Sequence, residues 1–347
     1  MSGPVGLPGA ADVFYRNSGN GKFSDATATL GLGRRDESYG LGVLTTDCDN
    51  DGRIDVYVAN DSNPNFLFHN LGNGRFEEVG IASGAGVNAD GRAQAGMGVD
   101  AGDYDGDGLI DIVVTNFAQD TNTLYRNLGG GFFEDVSLRS GLFARTFERM
   151  GWGVAFFDAD RDGSLDLFFA NGHLFPQVDG YPELRESYRQ KSQLLMNKDG
   201  VFKDLSDVAG LGLQLPRTSR GLAVGDLDND GAQDLVITNI DNFPTVLRNR
   251  TRTANHWAGF RLTKEGPNRF CIGAKVMIQA GGRKQIREIR SGGGYLSQND
   301  LRVYFGLGSY SGKLDVEVLM PGGDRWRWKG LTADRLIPLV LREQERI

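Results

Sequence analysis

Alternating apolar and polar residues divide the first 250 positions into short strands joined by glycine turns. Residues 13–17 and 22–25 form the first predicted β-hairpin, with the glycine turn 18–21 between them. Similar hairpins begin at residues 66, 124 and 194, and a last copy at 246–249 has lost its glycines. The first 250 residues therefore form an internal repeat that ends near residue 250.

The other half of each repeat is a glycine-rich strand, an acidic loop and a β-branched strand. The first aspartates of successive loops are 56, 55 and 68 residues apart, which fits the four-stranded blade of a β-propeller. The glycines suit the innermost strand of a blade, where neighbouring blades crowd together. We predict an all-β fold with four such blades and a partial N-terminal blade.

The four acidic loops share the pattern Asp-x-Asp-x-Asp-Gly-x-x-Asp. Four carboxylates this close repel one another unless a hard cation lies between them, and an oxygen-only ligand set favours calcium over zinc or copper. We therefore expect about four structural Ca²⁺ ions. The predicted ligands are the carboxylates of Asp47, Asp49, Asp51, Asp55, Asp103, Asp105, Asp107, Asp111, Asp158, Asp160, Asp162, Asp166, Asp226, Asp228, Asp230 and Asp234, and the carbonyls of Arg53, Leu109, Ser164 and Ala232.

The composition supports an all-β fold and argues against one class of partner. The 50 glycines favour many tight turns, and the net charge of −7 is concentrated in the loops, where four calcium ions would neutralise it. Nucleic acid is therefore an unlikely partner. Cys48 and Cys271 are expected to be unpaired. No signal peptide and no apolar run of about 18 residues is visible, so we expect no membrane span, and a cytoplasmic protein if the chain is natural and complete.

The repeat disappears after residue 255. Predicted strands at 274–280, 285–290, 302–305 and 314–319 indicate a small β-sandwich or barrel, so we divide the chain into domains 1–255 and 256–347. Trp326 and Trp328 share one strand face there, which favours core packing over a sugar-stacking platform.

Two features differ from the regular repeat and are candidates for binding. The connection 171–193 is longer than its equivalents, carries His173 and ends in a charged candidate helix at 183–191. Arginines recur before the glycine-rich strands, where they would form an anion-binding mouth or, equally, pair with the acidic loops. These arginines and their polar neighbours are Arg34, Arg35, Arg92, Arg145, Arg149, Arg217, Arg220, Glu37, Tyr39, Gln94 and Glu148.

These motifs resemble a known family. The four loops resemble FG-GAP/VCBS propeller repeats, and residues 272–276, 292–300 and 305–308 resemble the ASPIC/UnbV domain, so the chain is similar to the cartilage acidic protein family. The resemblance implies a calcium-binding propeller that is extracellular or periplasmic. It also implies bacterial relatives encoded in enediyne biosynthetic clusters, some of them cofactor-independent enzymes.

Two functions remain open from the sequence. The first is an extracellular-type recognition module that binds a protein or glycan at the arginine-lined mouth or the insertion. The alternative is a calcium-dependent enzyme without organic cofactor, acting on a hydrophobic small molecule of the enediyne polyketide type. Its candidate catalytic residues are His173, Glu148, Arg149, Arg220 and Tyr39. No nucleophile elbow, Walker loop or dinucleotide fingerprint occurs.

Overall fold

The computed structural model describes residues 4, 6–33, 38–240 and 242–347. Four antiparallel sheets follow one another in chain order, and each contains one acidic loop between its first two strands. This arrangement confirms the predicted propeller blades. The sheets are β3–β6 (Gly40–Thr46, Asp55–Asn60, Phe66–Asn70, Phe76–Glu78), β7–β10 (Val99–Gly102, Asp111–Val114, Thr123–Gly129, Phe132–Asp135), β11–β14 (Gly151–Phe157, Asp166–Asn171, Gln193–Lys198, Val201–Asp204) and β15–β17 (Ser219–Gly225, Asp234–Asn239, Thr245–Leu247).

The first strand of each sheet is the inner strand of its blade. β3 packs beside β7, β7 beside β11 and β11 beside β15. Their glycines permit this close approach: a Cβ on Gly42 would lie 2.3 Å from the Met97 carbonyl oxygen, and one on Gly98 would lie 1.9 Å from that of Trp152. The alternating glycines in the sequence are therefore explained by the close contact between neighbouring blades.

A short hairpin precedes the four blades. Its strands β1 (Tyr15–Gly19) and β2 (Lys22–Asp25) pair with each other and form a separate two-stranded sheet. This hairpin is the predicted partial blade, and its side chains are exposed.

Two sheets form the C-terminal part of the chain. One has the order β21-β18-β24, and the other has the order β20-β19-β22-β23. Their apolar faces share one core, so the predicted small β-sandwich is present. The strand that carries Trp326 and Trp328 is β23, whereas the sequence analysis missed β18 and β24. The strands are β18 (His256–Lys264), β19 (Lys275–Ala280), β20 (Arg283–Glu288), β21 (Val303–Gly308), β22 (Lys313–Leu319), β23 (Arg325–Thr332) and β24 (Arg335–Leu341).

A loop of the sandwich, residues 292–300, inserts between the inner strands of the blades. Gly294 exchanges two backbone hydrogen bonds with Val99 on β7, of 2.7 and 3.0 Å. Further along the loop, the Asn299 side chain accepts the Val224 amide of β15 at 2.9 Å. We call residues 292–300 the axial loop, because it binds several blades at the centre of the array.

Helices are few and short. α1 (Thr27–Leu30), α2 (Gly80–Ser83) and α3 (Phe143–Thr146) are single turns, and no helix among the described residues has the length and apolar character needed to cross a bilayer. The insertion 171–193 contains 3₁₀ turns at Pro176–Gly180 and Pro182–Leu184, and residues 185–189 after them are irregular. The expected helical piece at 183–191 is therefore wrong, since that segment is pinned by contacts to the rest of the insertion, such as the Tyr188 amide to Asp179 at 2.8 Å.

Candidate functional site: acidic loops and an arginine face

The structure gathers carboxylates in all four loops. In the first three loops the aspartates at positions 1, 3 and 9 offer oxygens within 4.8 Å of one another, and in the fourth loop the aspartates at positions 1, 3 and 5 do so. In the first three loops the position-5 aspartate lies outside this group. The groups are Asp47, Asp49 and Asp55; Asp103, Asp105 and Asp111; Asp158, Asp160 and Asp166; and Asp226, Asp228 and Asp230.

Backbone amides shape each loop around its first aspartate. In the second loop the Gly106 and Gly108 amides donate to Asp103 at 2.8 and 3.1 Å. Gly108 occupies position 6 with φ +88°, a left-handed conformation that favours glycine. Its equivalents Gly52, Gly163 and Gly231 share that conformation and also donate to the first aspartate of their loops. The glycine at position 6 is thus explained by the turn that brings the carboxylates together.

Burial makes these carboxylates difficult to ionise on their own. It raises the pKa of Asp103 to about 6 and that of Asp111 to about 8, although backbone hydrogen bonds oppose the shift. The same cause raises the pKa of Asp158 to about 7 and that of Asp166 to about 8. A cation bound among them would favour the charged carboxylates. The donor set, oxygens only and clustered in threes, fits a hard divalent cation such as Ca²⁺.

In the second, third and fourth blades, an asparagine at or just after the third strand connects two neighbouring loops, whereas Asn70 of the first blade bonds, among the acidic loops described, only its own. In the second blade the backbone amide of Asn127 donates to the Asp111 carboxylate at 2.8 Å. Its side chain donates to the Ile110 carbonyl of its own loop and to the Cys48 carbonyl of the preceding loop, at 2.9 and 2.6 Å. Asn197 and Asn249 make the corresponding bonds one and two blades later. The sequence analysis missed this role, although the asparagine recurs in every hairpin.

The C-terminal sandwich covers the loops. Lys275 on β19 binds Asp47 in the first loop, and the Gly306 amide on β21 donates to Asp158 in the third loop at 3.1 Å. In the fourth loop, Arg302 donates to the Asp226 carbonyl at 2.7 Å. The second loop is close to the buried Arg287, whose charge acts on Asp103. The first aspartates of all four loops are consequently buried.

The arginines expected at the mouth are not neutralised by the acidic loops. Among the described residues, no ion pair involves Arg92, Arg145, Arg149, Arg217 or Arg220, and all of them precede or begin an inner strand. We call these five residues the arginine face. The loop acids instead pair with Arg53, Arg126 and Arg248. Arg34, Arg35 and Glu37 lie outside the described residues.

Two members of the predicted mouth are already engaged inside the protein. Arg220 donates to the backbone carbonyls of Gly172, His173 and Ser219, and its guanidinium stacks on Trp152 at 4.1 Å. Gln94 is buried and donates to Asp120. Arg220 therefore fastens the insertion to β15.

His173 is fully buried at the base of the insertion. Its Nδ1 lies 3.1 Å from the Phe175 amide nitrogen and 3.2 Å from the Phe175 carbonyl oxygen, and its Nε2 lies 3.0 Å from a carboxylate oxygen of Glu186. The Phe117 ring meets it edge-on, with centroids 5.4 Å apart. Both ring nitrogens thus face protein groups, and His173 holds the insertion in place.

Of the other catalytic candidates, Arg220 contacts only the backbone carbonyl of His173, and the remaining three make no bond to it within the described residues. Glu148 is exposed and Arg149 half-buried, while the Tyr39 hydroxyl donates to the Leu7 carbonyl at 2.7 Å. Within the described ranges, no hydrogen bond or ion pair joins the side chains of the five candidates. The geometry shows no assembled acid–base pair among them.

Remaining sequence expectations concern cysteines, histidines and tryptophans. Cys48 and Cys271 are free and buried, as predicted. Trp326 packs in the sandwich core, and His256 pairs with Asp334 at 2.6 Å. His69, on β5, lies 3.2 Å from Asp55 and 3.5 Å from Asp49 of the first loop.

Family models match both parts of the chain. The model described as FG-GAP-like repeat matches residues 47–114 and 103–169, and the model described as ASPIC and UnbV matches residues 264–346. These segments contain three of the acidic loops and most of the sandwich. Both parts of the resemblance seen in the sequence are therefore confirmed.

Curated relatives match most of the chain. Cartilage acidic protein 1 of Xenopus tropicalis is 30% identical over 308 residues, which are 86% of this chain and 44% of that protein. The human protein of the same name is 28% identical over 306 residues, 86% of this chain and 43% of its own length. The chain thus spans less than half the length of these relatives.

A solved Agrocybe aegerita lectin that recognises non-reducing terminal N-acetylglucosamine is 18% identical, with a TM-score of 0.36, and the match covers 69% of this chain and 60% of the lectin. This likeness is too low to support an argument about ligands. The two family models and the curated relatives agree with the architecture. The chain belongs to the cartilage acidic protein family, with FG-GAP-like repeats followed by an ASPIC and UnbV domain.

Proposed function

We propose that the chain is a calcium-stabilised recognition module of extracellular type, which binds a protein or glycan through its arginine face. In this proposal calcium has a structural role: the aspartates of each loop and the position-7 carbonyl hold one ion. The bound ion supplies the positive charge that these crowded carboxylates need. The division into a propeller, 1–255, and a sandwich, 256–347, is part of the proposal.

The unpaired arginines carry the recognition part of the proposal. The inner strands run from the arginine face to the acidic loops, which contact the sandwich, so the arginine face lies at the opposite end of these strands from those contacts. Exposed aromatic side chains lie among these arginines, because Phe143 and Phe147 flank Arg145 and are 43% and 38% exposed. Arginine and aromatic side chains together are common in binding hot spots. An acidic group on the ligand would complement this surface.

Binding to acidic probes tests this assignment. The full chain is applied to an array of acidic and neutral glycans and to an acidic peptide, polyglutamate. We expect the double variant Arg149→Ala/Arg217→Ala to reduce binding at least tenfold, and the wild-type signal to weaken as salt is raised.

Arg346→Ala is the matched control, since Arg346 is an exposed arginine of the sandwich that pairs with Asp324. Its binding should equal that of the wild type. If the double variant bound every probe as well as the control did, the arginine face would not be the recognition surface.

A further inference from the structure

The first acidic loop already contains a cation supplied by the protein. The Lys275 ammonium lies 2.9 Å from a carboxylate oxygen of Asp47, 2.8 Å from the Asp47 carbonyl and 2.5 Å from the Asn50 side-chain oxygen. An ammonium has three N–H donors, so all of them are used on this one loop. The side chains of Lys275 and Asp47 are 4% and 5% exposed, so they form a buried ion pair.

The other loops lack this contact. Arg287 lies near Asp103 and Asp158, but its guanidinium donates to the Ile286 carbonyl and the Gln285 side chain. Arg302 reaches the carbonyl of Asp226 and pairs with Asp300. Over the described ranges, the first loop alone has its position-1 carboxylate paired with a lysine or arginine.

Neighbouring strands hold Lys275 in this position. Lys275 begins β19 and is opposite Glu288 on β20 in the sheet register. The Glu288 carboxylate accepts the Thr46 hydroxyl at 2.7 Å and the Asp47 amide at 3.4 Å. Lys275 and Glu288 therefore both form hydrogen bonds to the first loop, from two adjacent strands. Withdrawal of the ammonium would leave the Asp47 carboxylate buried without its partner.

We propose that Lys275 makes the first loop the weakest of the four calcium sites and keeps that loop formed when calcium is absent. The inference rests on the calcium binding proposed above. An ammonium that shares the Asp47 carboxylate with the ion repels it and takes part of the negative charge that would attract it. Without the ion, the same ammonium neutralises Asp47.

Calcium titration of the full chain tests the proposal. Competition with a chromophoric chelator should resolve one site at least tenfold weaker than the others in the wild type. Lys275→Met removes the charge but keeps a similar length, and it should tighten that site at least tenfold. Lys275→Arg keeps the charge and should retain the weak site, while Asp49→Asn should abolish it. Lys313→Met is the control, because Lys313 contacts Thr332 and no loop.

A second readout separates charge from simple structural support. In EGTA the melting temperature of Lys275→Met should fall further below that of wild type than it does in calcium. If Lys275→Met does not fold, Lys275→Gln provides the same comparison. If the wild type bound calcium with equal affinity at all sites and the Lys275 variants left these affinities unchanged, the inference about Lys275 would be wrong, but the proposed function would stand. A wild-type chain that bound no calcium at all would overturn the proposed function as well.

Discussion

At the scale of single residues, the hairpin asparagine of the second, third and fourth blades connects neighbouring blades. Asn127 is fully buried, and its amide group bridges the Ile110 carbonyl of its own loop and the Cys48 carbonyl of the loop before. A short amide side chain suits this place because it donates two hydrogen bonds from one nitrogen. The loop of one blade is therefore held by the strand of the next.

Replacing Asn127 with alanine should destabilise the chain by about 1–3 kcal/mol, since two buried carbonyls would lose their donor. Urea denaturation followed by tryptophan fluorescence measures this change. Asn17 is the matched control: it occupies the same place in the first hairpin, is exposed, and bonds through its side-chain oxygen to the Gly19 amide. Asn17→Ala should change stability by less than about 0.5 kcal/mol. Equal losses in both variants would contradict the connecting role.

At the scale of elements, the inner strands form a tightly packed layer. Gly98 packs against the Trp152 carbonyl of the next blade. One blade later, Gly153 packs against the Arg220 carbonyl, whose oxygen would lie 2.8 Å from a Cβ added to Gly153. Side chains alternate along a strand, so every second residue of an inner strand faces its neighbour. Blade spacing is consequently set by glycine backbones.

Gly98→Ala should therefore cost about 1–3 kcal/mol of stability, because its methyl group would overlap the Trp152 carbonyl and push two blades apart. Gly180→Ala serves as the control, since nothing lies within 4 Å of its hypothetical Cβ. That variant should change stability by less than about 1 kcal/mol. Differential scanning calorimetry on both proteins gives the comparison, and a neutral Gly98→Ala would show that the blades are looser than the structure indicates.

At the scale of the whole molecule, the acidic loops lie between the blades and the sandwich. Lys275, Gly306 and Arg302 all reach loop atoms from the sandwich, and the axial loop binds the inner strands. Loops, blades and sandwich thus share buried polar contacts. Loss of the loop structure would expose surfaces on both parts of the chain.

Chelation should lower the melting temperature of the entire chain by several degrees. Each ion that binds only the folded state adds about 2.7 kcal/mol at a hundredfold excess over its dissociation constant. Calorimetry in calcium and in EGTA should show a single transition that moves as one, because the loops contact both parts. Magnesium added with EGTA controls for ionic strength. An unchanged melting temperature would refute a structural role for calcium.

The sequence predicted local features well and distant contacts poorly. Each acidic loop and each glycine-rich strand is defined by a pattern within about ten residues, so both can be predicted from the sequence. Lys275 is 228 residues from Asp47, and no local pattern marks it as a partner of the first loop. His173 is a candidate for binding or catalysis by its place in the long insertion, yet Glu186 and Phe117 pack against it in the interior. The repeated asparagine was visible, but its function depends on contact between blades.

The axial loop also bears on the order in which the chain is made. Val99 pairs with Gly294, which leaves the ribosome 195 residues later. At about 5–20 residues per second, this delay is on the order of 10 to 40 s. During that time the inner strands of the blades have emerged without their central partner. A chaperone that shields these strand backbones would protect the nascent chain until synthesis reaches the sandwich.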